Sequence, residues 1–146
     1  IIYSGDEVAQ VNDYSYVEDP ERADDSRYIH RGRFPWELTE RIDEEGSVQQ
    51  RIFDGLQLLE RVRREEPVFS AGARVWPKDY SDPAILWIVR EVDGETLHAV
   101  FNFSDQPKTV WMPEPAEYTD LVTGANEEVA TVDLPAWGFT WLKHIW

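Results

Sequence analysis

The sequence contains no cysteine, so disulfides, thiolate metal sites and a cysteine nucleophile are excluded by counting alone. Positive charge is scarce: 14 Lys and Arg stand against 29 Asp and Glu, a formal net charge of −15. Such a surface repels phosphate backbones and anionic lipid headgroups, so neither nucleic acid nor membrane is an expected partner. Long apolar runs are missing too. None approaches the ~20 residues that a helix needs to cross a bilayer, and no basic segment leads into a hydrophobic one as in a signal peptide. A cytoplasmic location is the resulting expectation. His30, His98 and His144 lie far apart in sequence, without the paired spacing of metal ligands. The acidic stretches lack the EF-hand pattern, and no Gly-x-Ser-x-Gly elbow occurs. No cofactor is expected.

What is present suffices for a core. Hydrophobic residues make up 42% of the 146 and aromatics 13%, with seven Trp, far from the composition of disordered chains. The chain opens on Ile1-Ile2-Tyr3 rather than Met, as expected of processed or excised material. Residues 1–3 form a short apolar β-type run that stops at Ser4-Gly5-Asp6-Glu7. From Gln10 to Gly46 no helical or strand period persists, and carboxylates alternate with Tyr14, Tyr16, Tyr28, Phe34 and Trp36. A loop of this length in a compact protein is functional or disordered, and the aromatics favour an ordered, functional one. Ser47 and Gln50 form a capping-box pattern, and Ile52, Phe53, Leu56, Leu59 and Val62 then recur at helical spacing up to Pro67. This predicts one amphipathic helix over residues 48–65.

Beyond Pro67 the pattern is β. Strand-like runs occupy 73–76, 85–92, 96–103, 109–112, 118–121, 129–134 and 139–143, with Asp93-Gly94 as a hairpin turn between two of them. The expectation is an α+β chain whose tail, from about residue 67, is an antiparallel β-sandwich. Trp76, Trp87, Trp111, Trp137 and Trp141 sit in or beside these runs, where core packing accounts for them. A sugar-stacking sheet face is the alternative. For Trp36, in the long loop, a ligand role stays open.

Carboxylates could supply the pair that glycoside hydrolysis needs, but most in the first segment fit solvated loop charges or caps. The cluster Asp24-Asp25-Ser26-Arg27-Tyr28-Ile29-His30-Arg31-Gly32-Arg33 is denser. Guanidinium and carboxylate groups hydrogen-bond hydroxyls, and aromatic faces stack on pyranose rings, so this mixture suits a sugar. A surface ion-pair network is the plainer reading.

These residues carry a likeness. The blocks Ile1-Ile2-Tyr3-Ser4-Gly5-Asp6-Glu7, Asn12-Asp13, Asp24-Asp25-Ser26-Arg27 and His30-Arg31-Gly32-Arg33 resemble the end of the catalytic barrel in amylosucrase-like members of the α-amylase superfamily. The helix near Arg51, Asn102-Phe103-Ser104 and Trp137-Gly138-Phe139-Thr140-Trp141-Leu142 resemble that family's last barrel helix and C-terminal β domain. The resemblance implies that 1–66 are the end of a (β/α)8 barrel: strand 1–3, active-site loop 4–46, helix 48–65. Residues 67–146 would be the β-sandwich. Arg27 then matches the arginine on the pocket floor that holds the terminal glucosyl unit, with Asp25 and Arg31 as neighbours that bind substrate or hold Arg27 in place.

The family cleaves by a retaining mechanism with an aspartate nucleophile, a glutamate acid-base and a second aspartate that steadies the transition state. All three come from earlier strands, so no catalytic residue maps onto this sequence, and the chain alone is expected to be inactive. Sucrose or an α-glucan is the substrate the resemblance implies for the parent, with transfer, hydrolysis and isomerisation left open. A non-catalytic carbohydrate-binding module and a purely structural β domain are the competing readings. An orphan strand and a bare helix face also predict self-association of the isolated chain.

Overall fold

The structure, a computed structural model, describes residues 2–145. Its contacts divide the chain into one unit up to Leu58 and another from Leu59 onward.

The first unit consists mostly of short turns. Single 3-10 turns occupy Asp6–Val8, Ser15–Glu18, Ser26–His30 and Glu40–Asp43, and helix α1 (Trp36–Thr39) is one turn long. The aperiodic stretch is thus ordered by local hydrogen bonds. Asp13 and Asp19 each accept from a backbone N–H two residues ahead, the local bond that makes Asp a turn residue. The strand expected at residues 1–3 does not form in its described part. Ile2 and Tyr3 are exposed and pair with no strand, and Ile1 lies outside the described residues. A strand exists through its neighbour's ladder, and among the described residues no strand runs beside these two; the barrel end therefore remains an expectation.

Helix α2 (Val48–Glu65) has the predicted limits. Ser47 Oγ accepts from Gln50 N at 2.9 Å, and Gln50 Oε1 accepts from Gly46 N at 2.8 Å. The reciprocal bond of the capping box thus lands one residue earlier than in the standard arrangement. Arg63 and Arg64 in the last turn complement the helix dipole.

In the second unit, strands β1 (Arg74–Pro77), β2 (Ile85–Val92), β3 (Glu95–Asn102), β4 (Lys108–Asp120), β5 (Asn126–Leu134) and β6 (Phe139–His144) form one antiparallel sheet in the order β1-β2-β3-β6-β4-β5. Alternate residues of β2, β3 and β6 meet those of the β4–β5 ribbon in a single buried cluster around Trp87, Val89, Val100, Val110, Leu134 and Leu142. This is a sandwich-like core built from one hydrogen-bonded sheet. A second cluster on the other face joins Leu97 to Val68, Leu121 and Val62. Asp93 and Gly94 both take positive φ, 49° and 85°, the type I′ geometry that matches strand twist.

Two expectations need correction. The runs 109–112 and 118–121 belong to one strand, because the ladder to β5 shifts register between Trp111 and Ala116 and so accommodates Pro113 and Pro115. Core packing also fails for two of the five β-region tryptophans: Trp87 is 1% exposed, but Trp111 and Trp137 are 69% and 67% exposed.

His98 shows how the core depends on pH. Its Nδ1 accepts from Trp87 Nε1 at 3.2 Å, and burial, aided by the charges of Lys78 and His144, pushes its pKa down to about 4. In the unfolded chain the ring titrates near 6.5. Its stabilising contribution is therefore full above pH 6.5 and is lost as the pH falls towards 4, by about 2 to 3 kcal/mol. His98→Gln, which keeps an acceptor for Trp87, is expected to flatten stability between pH 6.5 and 4 in urea titrations. An unchanged slope would mean that the ring is not held neutral.

Candidate functional site

Asp25 sits at the N-cap of the Ser26–His30 turn with extended backbone, and its side chain accepts from Arg27 N. The same carboxylate grips the Arg27 side chain in a fork, with Nε donating to Oδ1 and Nη2 to Oδ2, both at 2.7 Å. One residue therefore fixes both the turn and the guanidinium that follows it. The fork keeps the Asp25 carboxyl at a pKa of about 2, chiefly through the Arg27 side-chain bond, and the carboxylate in turn raises the Arg27 pKa. Arg27 is 72% exposed and Arg31 44%, with Arg31 Nη1 4.0 Å from Asp25 Oδ2. Planar two-point pairing is the strong form of this contact, and it leaves Nη1 of Arg27 outside the fork.

Tyr28 lies between two cations. Arg22 stands 5.2 Å and Arg31 5.5 Å from its ring centre, within cation–π range. Arg22 is itself paired with Asp19 at 3.1 Å. The loop closes on itself through Asp13 N, which donates to Ile29 O at 2.9 Å, and Gln10 Nε2, which donates to Arg33 O. Asp13 also accepts from Ser15 N and Ser15 Oγ, which lowers its pKa. Between these segments lies a recess of about 490 Å3 lined by Asp13, Tyr16, Asp19, Arg22, Tyr28 and Arg31, among others.

The predicted residues thus meet at Asp25, which pairs with exposed Arg27 and lies 4.0 Å from Arg31, and Arg31 also lines the recess. Sequence reasoning missed Arg22 as a partner of Tyr28. Its spacing of three from Asp19 and six from Tyr28 was the available signal. Among the described residues no cluster of three or more His, Cys, Asp or Glu could hold a metal ion, and no helix is long and apolar enough to cross a membrane. Trp36 is exposed and its ring meets Phe34 edge-on at 4.7 Å.

Known proteins resemble parts of this chain. The family model for the β-galactosidase C-terminal domain matches residues 87–140. The trehalulose synthase MutB from Pseudomonas mesoacidophila MX-45 superposes with a TM-score of 0.59 at 22% identity, over 73% of this chain and 19% of that one. A MutB variant in complex with glucose superposes at 0.54 with 25% identity, over 63% and 18%. An α-glucosyl transfer enzyme, XgtA, gives 0.58 at 16% identity, over 74% and 20%. The chain spans about a fifth of the length of these solved structures. These likenesses show a fold shared with part of MutB and part of XgtA.

Proposed function

We propose that this chain is the C-terminal part of an amylosucrase-like enzyme that acts on sucrose or α-glucans by a retaining mechanism, probing one sugar unit with the loop around Arg27. The observation that carries the reading is the Asp25–Arg27 fork. A guanidinium clamped on one side by a carboxylate is held in a fixed plane while its remaining N–H groups face outward, which is what directed hydrogen bonding to sugar hydroxyls requires. Arg31 and the Tyr28 hydroxyl in the neighbouring recess would add hydrogen-bonding groups. The β domain supplies no chemistry in this reading, and the catalytic carboxylates come from the rest of the enzyme, which works in the cytoplasm.

The likeness to MutB and XgtA supports the enzyme class without choosing between transfer, hydrolysis and isomerisation. The assay compares the longer protein with the 146-residue chain on sucrose and on maltoheptaose. The longer protein is expected to release reducing sugar from at least one, and the chain from neither. A longer protein that cleaves neither overturns the reading, and so does cleavage by the purified chain that persists through further purification.

A further inference from the structure

At one end of the β sheet, two loops are fastened together by a single buried side chain. Asn102, 2% exposed, donates through Nδ2 to Gln106 O at 2.7 Å and Pro135 O at 2.8 Å. Its Oδ1 accepts from Ser104 N and Ser104 Oγ. All its bonding capacity is thus spent on the β3–β4 and β5–β6 loops. Trp137 N then donates to Ser104 O at 2.9 Å, and Asn102 N to Gly138 O at 2.8 Å. The next residue must be glycine, since a Cβ on Gly138 would stand 2.6 Å from Pro135 Cδ.

This staple holds Trp137 in left-handed backbone, φ 59°, a conformation that disfavours a bulky residue and points to function where the surroundings enforce it. The indole gains no burial in return. It is two-thirds exposed, and Phe103, on the adjoining loop, is 60% exposed. The Phe103, Phe101 and Phe139 rings continue the apolar surface side by side, at centroid spacings of 6.2 and 5.9 Å. Charge is nearly absent: in segments 101–107 and 134–139 the one charged residue is Asp105, in a chain that is 29% charged. Exposed aromatics in a charge-poor patch mark a binding surface.

We infer that Trp137 and Phe103, with Asp105 and Gln106 beside them, form a second sugar-binding platform that takes a neutral α-glucan chain. A glucan carries no charge and offers apolar ring faces to an indole and hydroxyls to a carboxylate and an amide, which suits both the aromatic rings and the lack of cations. Anionic ligands are repelled by the overall charge of −15. The inference rests on the proposed function only for the choice of α-linked probe, and it needs neither the Arg27 loop nor catalysis.

The test is titration of the 146-residue chain with maltoheptaose by calorimetry, with cellohexaose as the β-linked comparison. The expected dissociation constant is about 0.1 to 10 mM, the range of weak single-platform binding. Trp137→Gly, which relieves the backbone, is expected to weaken binding at least tenfold without lowering the melting temperature, while Trp137→Phe stays within about threefold of the parent chain. Trp111→Ala is expected to leave binding unchanged. No maltoheptaose binding at 20 mM, or binding lost in Arg27→Ala but kept in Trp137→Gly, overturns the platform; so does a dimer that Trp137→Gly dissociates in the absence of glucan binding. The first and third of these leave the proposed role of the Arg27 loop standing, which the activity assay judges separately.

Discussion

Arg27→Ala in the longer protein is expected to lower kcat/KM for its sugar substrate by about a hundredfold to a thousandfold. Hydrogen bonds from a charged donor contribute about 1.5 to 3 kcal/mol each, and loss of one or two from a guanidinium held in place converts to that range of rate. The preorganisation is what makes the figure large. Arg27 does not need to be ordered by the substrate, because Asp25 already holds its Nε and Nη2 at 2.7 Å. Asp25→Asn keeps the turn-forming oxygen but loses the charge, so it should cost about tenfold, appearing mainly in KM as the guanidinium regains freedom. With the Asp25 carboxyl held at a pKa of about 2, the fork survives mild acid, and no inflection in KM between pH 4 and 5 should trace to it. Arg27→Lys restores charge without the planar fork and should recover little. An Arg27→Ala enzyme with unchanged kinetics would reduce the cluster to the surface ion-pair network that its exposure permits.

How far the sequence announced these features depended on whether each was set locally. Helix α2 was legible to the residue because its start is written in Ser47 and Gln50 and its apolar positions repeat at helical spacing. The Asp93-Gly94 hairpin was equally plain, since the turn demands positive φ and the sequence offers the residues that accept it. The single long β4 was not. Pro113 and Pro115 read as strand breakers, and only the register shift opposite β5 explains how a strand passes through them. Among the site residues, Asp25 and Arg27 are two apart and act through a local turn, so their pairing was within reach. The joining of Asp13 to Ile29, and of Arg22 to Tyr28, depends on how the loop folds back, which no period encodes. Nothing about tryptophan as a residue type marks Trp137 for left-handed backbone either. That position follows from Asn102, whose four bonds tie together loops more than thirty residues apart.

The largest expected effect on stability comes from Trp87→Ala. Trp87 is 1% exposed on β2, opposite Val100 of β3, at the centre of the larger cluster. Removing a buried indole costs about 3 to 5 kcal/mol through lost transfer energy and the cavity left behind. The ring also has polar duties, because Nε1 supplies the hydrogen bond to His98 Nδ1, while Lys78 Nζ stands 5.2 Å from the ring centre and Tyr80 packs 5.9 Å away. A buried acceptor without its donor adds about 1 kcal/mol or more. Against a total stability of about 5 to 15 kcal/mol for a domain, the variant should be largely unfolded at 37 °C, as read by near-UV circular dichroism. Trp87→Phe separates the two contributions: it retains most of the packing, loses the donor, and should cost about 1 to 2 kcal/mol at neutral pH. Because burial, with the Lys78 and His144 charges, sets the depression, the His98 pKa should stay near 4 in this variant. The pH window over which His98 withdraws stability should then be unchanged, and the imidazole shift in NMR reports this directly. A Trp87→Phe chain whose His98 pKa rises towards 6.5 would instead assign part of the depression to the indole bond.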